Sequence, residues 1–232
     1  MKISISDQVL KRYPEASLGV VIIKGADNSG SNQEIQNLIK EAEAQVSKQF
    51  ENLTIPDHPS LKAWRRVYKD MGAESRRCSA EAMVRRILKG DHVSSINKLV
   101  DLYNYISLKY VLPVGGEDLD KVSGDVSLTE ADGTERFVPL FGTENEPPKS
   151  GEIIYVDESK EVLCRRWNWR EADKTKLTEE TINAMLVVEG IIEDDKEKVK
   201  EGTKELAFLV EKYCGGEVET YFLDSHKNEI IF

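Results

Sequence analysis

Apolar and polar positions alternate over residues 2–6, which predicts an opening strand. Residues 18–23 form an unbroken apolar run rich in Val and Ile, which predicts a central one. A glycine-bounded turn at 25–30 follows. Ser31 and Glu34 have capping-box spacing and predict a helix to about residue 52, with Ile35, Leu38, Ile39, Ala42, Val46 and Phe50 as its buried stripe. Pro56, His58 and Pro59 interrupt the chain before a helix over 60–71, where Leu61, Trp64, Val67 and Met71 face inward and Gly72 is the stop. Ser79 is the expected N-cap of a helix over 80–89 that ends at Gly90. Another opens at Ser94 or Ser95 and runs to about 108 on Ile96, Leu99, Val100, Tyr103 and Ile106. Asp101 and Asn104 then neighbour each other on a different face.

Beyond Pro113 and the pair Gly115-Gly116 the period shortens. Strand-like segments are expected near 125–129, 136–140, 152–156 and 161–169, with Asp132-Gly133 as a hairpin turn between the first two and an exposed loop over 143–151. Thr178 is read as the cap of a helix reaching Glu189, a further helix spans about 194–213, and segments 217–223 and 229–232 read as a terminal hairpin. Strands grouped after helices, without regular βα alternation, give an α+β class. The expected organisation is one domain over 1–232, with a carboxy-terminal helix and hairpin extension from about 191.

Composition narrows the function. Apolar residues make up 40% and charged residues 32%, enough for a core under a soluble surface, and the formal net charge of −10 argues against a general nucleic-acid coat. Between 62 and 89, however, nine Lys or Arg stand against three Asp or Glu. Lys62, Arg65, Arg66, Lys69, Arg85, Arg86 and Lys89 are therefore the candidate phosphate-binding, tRNA-facing residues. Three scattered cysteines and three scattered histidines exclude a disulfide framework and a thiolate or histidine metal site, and point to a reducing, cytoplasmic setting. The first residues lack a signal-peptide run, and no 18-residue apolar stretch predicts a membrane span. No P-loop, GxGxxG, HExxH or GxSxG is present, so no cofactor is expected.

The densest chemistry is Cys164 to Glu171, CRRWNWRE. In an extended strand Trp167 and Trp169 would share one side while Arg166, Asn168 and Arg170 shared the other, an aromatic face for stacking backed by an anion-seeking one. A core strand with inward tryptophans and rim arginines accounts for the same pattern.

The run VDLYNYISLKYVLPVGGEDLD, from Val100 to Asp120, resembles VDxTNYVxxExGxPxHAFDxD of the phenylalanyl-tRNA synthetase β subunit, within its tRNA-editing region, the B-three/B-four domain. With YKDMGAESRRCSAEAMVRRILKG upstream and CRRWNWRE downstream, the chain is similar to stand-alone proteins made of this domain. The resemblance implies a mixed, largely antiparallel sheet flanked by helices. It also implies hydrolysis of mischarged aminoacyl-tRNA, with a non-catalytic module for an amino acid, a nucleotide or a tRNA end as the alternative. Val100, Asp101, Asn104, Pro113, Asp118 and Asp120 match the pattern, and Thr181 and Asn183 match residues that follow. The functional histidine falls on Gly115, and the region of the hydroxyl-selecting glutamate is occupied by the segment holding Glu171. Candidate catalytic positions are therefore Gly115, Gly116, Glu117, Asp118 and Glu171. Arg76, Arg77, Ser79, Glu81, Asp101, Asn104, Thr181, Asn183 and the stretch Arg165, Arg166, Trp167, Asn168, Trp169, Arg170 are expected to converge on one substrate pocket. The partners implied are tRNA or aminoacyl-tRNA and an amino-acid-like small molecule.

Overall fold

The computed structural model describes residues 1–232. In chain order the elements are β1 (Lys2–Ile5), α1 (Asp7–Arg12), β2 (Ser17–Lys24), α2 (Gln33–Gln49), α3 (Pro59–Asp70), α4 (Ser79–Ile87), α5 (Lys98–Tyr110), β3 (Val114–Asp118), β4 (Val126–Glu130), β5 (Ile153–Asp157), β6 (Val162–Arg165), β7 (Arg170–Glu171), β8 (Asn183–Gly190), α6 (Lys196–Cys214), β9 (Glu217–Leu223) and β10 (Glu229–Ile231). They form two sheets, ordered β10-β1-β4-β5-β6-β7 and β3-β8-β2-β9. All pairings are antiparallel except β1 with β4. With α6 across β2 and β8, and α5 between α2 and α6, the architecture is α+β, largely antiparallel sheets flanked by helices.

Several expectations need correction. Residues 183–190 are the strand β8, not a helix. Their apolar run lies between β3 and β2 and is buried at seven of its eight positions, so no polar face develops to reveal a period. No strand forms over 136–140, where only isolated bridges join Arg136 to Glu161 and Pro139 to Ala172; Pro139 has no N–H to continue a ladder. The Asp132-Gly133 turn closes no hairpin there. It is held by Glu135, whose carboxylate accepts from the N–H groups of Asp132 and Gly133, and β4 pairs with β5 instead. The two last strands are not paired as a hairpin: β9 lies on β2 and β10 on β1, one in each sheet. Three helix starts shift slightly. Asn32 caps α2, Cys78 caps α4 and Asn97 caps α5, while Ser95 donates to Asp101. No helix is long and apolar enough to cross a membrane.

Candidate functional site

The site is built on β3, an edge strand of the four-stranded sheet. Alternation puts Gly115 and Glu117 on one face and Gly116 on the other. A Cβ at 116 would strike the Leu186 side chain and stand 3.1 Å from the Met185 carbonyl oxygen, so this glycine serves packing. A Cβ at 115 would stand 2.7 Å from Glu171 Oε1 and meet nothing else nearer than the same carboxyl. Position 115 is therefore empty of side chain because Glu171 uses that space.

Gly115, Gly116, Glu117, Ser79, Trp167, Asn168 and Glu171 line one cavity of about 30 Å³, closed further by Tyr155, Cys164 and Glu189. Glu117 and Glu189 are 6% and 3% exposed; Glu171 is half-buried, but its Oε2 is out of solvent. No Lys, Arg or His lines the space. Glu189 is fully engaged, accepting from Tyr155 Oη and Asn168 Nδ2, each at 2.5 Å. Glu117 and Glu171 hydrogen-bond each other, and Oε2 of each has no further partner; Ser79 Oγ and Trp167 Nε1 have none, although the indole N–H leans toward Glu189. Burial raises all three carboxyls: Glu171 to about 7, Glu189 to about 7 against its two donors, and Glu117 well above its ordinary value, helped by the charge of Glu171 beside it. Burial first, and Glu171 second, also hold the Cys164 thiol protonated.

The expected alternation of Trp167 and Trp169 fails because β6 ends at Arg165. Arg166 and Trp167 take left-handed backbone angles, φ 52° and 66°, an unfavourable conformation for large residues that needs anchoring. The anchors are visible. The Trp167 N–H donates to the Ile153 carbonyl, and the indole is fully buried with Trp64 and Tyr13 edge-on at 5.1 and 5.4 Å. Arg165 and Arg166 both bind Glu152, at 2.7 and 3.0 Å. Burial works against the Glu152 charge, but these two guanidiniums outweigh it and lower its pKa. Asn168, turned inward, joins Tyr68 Oη to Glu189 and accepts the Ser79 N–H on its carbonyl, tying the turn to α4. Trp169 is left half-buried at the surface, with Arg166 and Arg76 over its ring at 4.5 and 4.7 Å.

That ring opens a groove of about 410 Å³ lined by Arg76, Arg77, Ser79, Arg85, Arg86, Lys89 and Asp91, adjoining a second of about 250 Å³ that adds Arg65 and Lys69. Ser79 borders both the acidic cavity and the basic groove. Glu81 lies in the second groove as a counter-charge, bound by Arg65 and Arg85 at 2.7 Å each; Arg77 does not pair with it.

Other expected site residues are elsewhere. Asp101 accepts from Ser95 and the Ile96 N–H, pinning the loop before α5, and Asn104 borders neither the cavity nor the grooves. Asp118 accepts from Thr181 Oγ1, and Asn183 donates to Asp120, a brace between β3 and β8 outside the cavity. Arg165 is buried on Glu152, and Arg170 reaches Glu146 at 3.9 Å. Lys62 and Arg66 are exposed on α3 but line neither groove. Glu189 was hidden from sequence reading inside the misassigned helix; the signal was a lone carboxylate ending an apolar run, which burial would force to find partners.

The sequence matches the family model described as the B3/4 domain over residues 63–215, a span that contains this cavity and the basic grooves. The chain belongs to the B3/4 domain family. Among curated relatives of the B3/4 chain are the phenylalanine–tRNA ligase β subunits of Fusobacterium nucleatum subsp. nucleatum, 30% identical over 70 residues, and of Mycoplasmoides gallisepticum, 37% identical over 76. These matches cover 30% and 32% of the chain and 9% of each relative, so the chain spans a small part of their length. A solved N-terminal fragment of the phenylalanyl-tRNA synthetase β subunit from Pyrococcus horikoshii is similar over 93% of the chain and 49% of its own, at 14% identity and a TM-score of 0.49.

Proposed function

We propose that this B3/4 chain removes amino acids from tRNA in trans by ester hydrolysis, with Glu171 as general base. The observation that carries the reading is the Glu117–Glu171 carboxyl pair, with unpartnered oxygens in a cavity that shares Ser79 with a basic, aromatic groove. An aminoacyl ester is already activated, so positioning water and stabilising the oxyanion suffice for acceleration. A carboxyl raised to about 7 is partly ionised at neutral pH and basic enough to take a proton from water. The missing side chain at 115 lets Glu171 place its Oε1 against β3, at the wall of the cavity that would hold that water. Attack on the carbonyl carbon breaks its bond to the terminal ribose oxygen. The proton passes from Glu171 to that oxygen, leaving free amino acid and uncharged tRNA. The Trp167 indole N–H and the Ser79 hydroxyl are the donors available to the oxyanion. Arg76, Arg77, Arg86 and Lys89 face the tRNA phosphates, and Trp169 offers a stacking surface.

A second reading, a module that binds an amino acid, a nucleotide or a tRNA end without chemistry, is favoured by one observation. The cavity's 30 Å³ has room for only about two waters, so an aminoacyl group enters only if the lining yields. Incubation with a panel of mischarged tRNAs separates the two. The hydrolase reading expects deacylation of at least one member that Glu171→Gln abolishes; no deacylation across the panel favours the binding module.

A further inference from the structure

We propose that the cavity is an ammonium-recognition site, in which Glu117 Oε2 and Glu171 Oε2 together bind the free α-amino group of an amino acid or its ester. The inference deepens the proposed function and rests on the same carboxyl pair, here read for what it binds rather than for the reaction. Two carboxyls are packed side by side and share a hydrogen bond with each other, one oxygen of each has no further partner, a third carboxyl stands in the same lining, and no basic side chain enters. The nearby arginines are committed elsewhere: Arg165 and Arg166 to Glu152, Arg65 and Arg85 to Glu81. Every other titratable group facing the pair is neutral or acidic: the Tyr103 and Tyr155 phenols, the Cys164 thiol, Glu189 and Asp118. Buried polar atoms ordinarily have partners, and buried carboxylates need a proton or a cation.

Alternative occupants fit less well. The surrounding His, Cys, Asp and Glu side chains do not form a group suited to a metal ion. A phosphate or carboxylate would be repelled by three acids. An ammonium offers three donors, matches the size of the space and satisfies both oxygens at once. Glu189 contributes field rather than contact, because both its oxygens are taken. An α-ammonium held by the two Oε2 atoms puts the carbonyl carbon two bonds further out, past Cα, on the side of Glu171 Oε1 and Gly115. Selectivity follows from charge: a free amine is admitted, and an N-acylated one leaves two buried carboxyls unpaired. Phosphates remain outside, in the groove beyond Ser79.

Two measurements test this. In thermal unfolding at pH 7.5, methylammonium and alaninamide are expected to stabilise the wild-type chain in a concentration-dependent way. N-acetylalaninamide should not, and Glu117→Gln, an isosteric change that removes the carboxyl able to ionise against an ammonium, should abolish the amine effect. In deacylation assays, N-acetylation of the aminoacyl-tRNA is expected to lower kcat/KM by about 100-fold, and Glu117→Gln to raise KM more than it lowers kcat. Stabilisation by the neutral amide equal to that by the amines, or an undiminished amine effect in Glu117→Gln, would overturn the proposal. So would equal hydrolysis of acetylated and free substrates, while leaving the hydrolase reading intact. Amine-specific stabilisation without deacylation of any tRNA would leave the site standing and remove the hydrolase reading.

Discussion

At the residue scale the decisive arrangement is that Glu171 stands where a side chain at 115 would. Legibility is uneven here. The sequence identified Gly115, Glu117 and Glu171 as candidates, but that they form a single pair depends on β3 and β7 meeting across the interface of two sheets, which no local period encodes. Gly115→Ala is expected to leave the fold intact, because the clashing atom is the mobile end of Glu171, yet to displace that carboxyl and cost about 10-fold or more in any deacylation rate. Gly116→Ala meets Leu186 and a backbone carbonyl and should lower stability by about 1–3 kcal/mol. Chemical denaturation with parallel activity assays separates the two, and a Gly115→Ala chain as destabilised as Gly116→Ala contradicts the assignment. The carboxyls also predict a pH trend. Glu171, Glu189 and Glu117 have folded pKa values above the ordinary 4.5, so their favourable contribution is complete below 4.5; for Glu171 and Glu189 it is lost as pH rises through about 7, and for Glu117 as pH rises through its own raised value. For Glu171 the gap corresponds to roughly 3 kcal/mol. Glu171→Gln should therefore be more stable than wild type at pH 8 and nearly equal at pH 4.5; urea titrations at both values check it, and a loss of stability at pH 8 contradicts it.

At the element scale, helices with one wet face were legible, whereas strands buried on both faces were not. α3 and α4 carry clear apolar stripes, and their expected spans hold within about two residues. β8 lacked any alternation, and the β6–β7 turn was invisible because left-handed angles at Arg166 and Trp167 use no glycine. That turn is predicted to depend on its anchors. Asn168→Ala removes the link between Tyr68 and Glu189 and leaves buried acceptors and donors unpaired, which should cost about 2–4 kcal/mol. Asn168→Asp should also destabilise, by setting a second carboxyl against Glu189. Unfolding midpoints within error of wild type for both variants would show that the turn is held by other interactions.

At the scale of the whole molecule, an acidic protein of net charge −10 presents a local basic surface on α3 and α4, beside an acidic cavity. The sequence showed this sign reversal directly; the structure divides it, with Arg76, Arg77, Arg85, Arg86 and Lys89 in the groove next to Ser79, and Lys62 and Arg66 outside it. Reversing Arg76, Arg86 and Lys89 together should weaken tRNA binding and flatten its log–log salt dependence by nearly one for each phosphate that is no longer neutralised, whereas reversing Lys62 and Arg66 should do much less. Filter-binding across a salt series checks this, and equal effects from the two sets would place the tRNA elsewhere. The most direct test of the proposed chemistry joins both halves of the surface: deacylation of a susceptible aminoacyl-tRNA by wild type and Glu171→Gln across pH 5.5–8, after subtraction of the uncatalysed rate. Wild-type kcat/KM is predicted to rise through about pH 7, and the Glu171→Gln rate to be lower by about 100-fold or more at neutrality, with tRNA affinity unchanged. Equal rates from the two proteins, or a wild-type rate that does not rise between pH 6 and 8, would contradict a general-base role for Glu171.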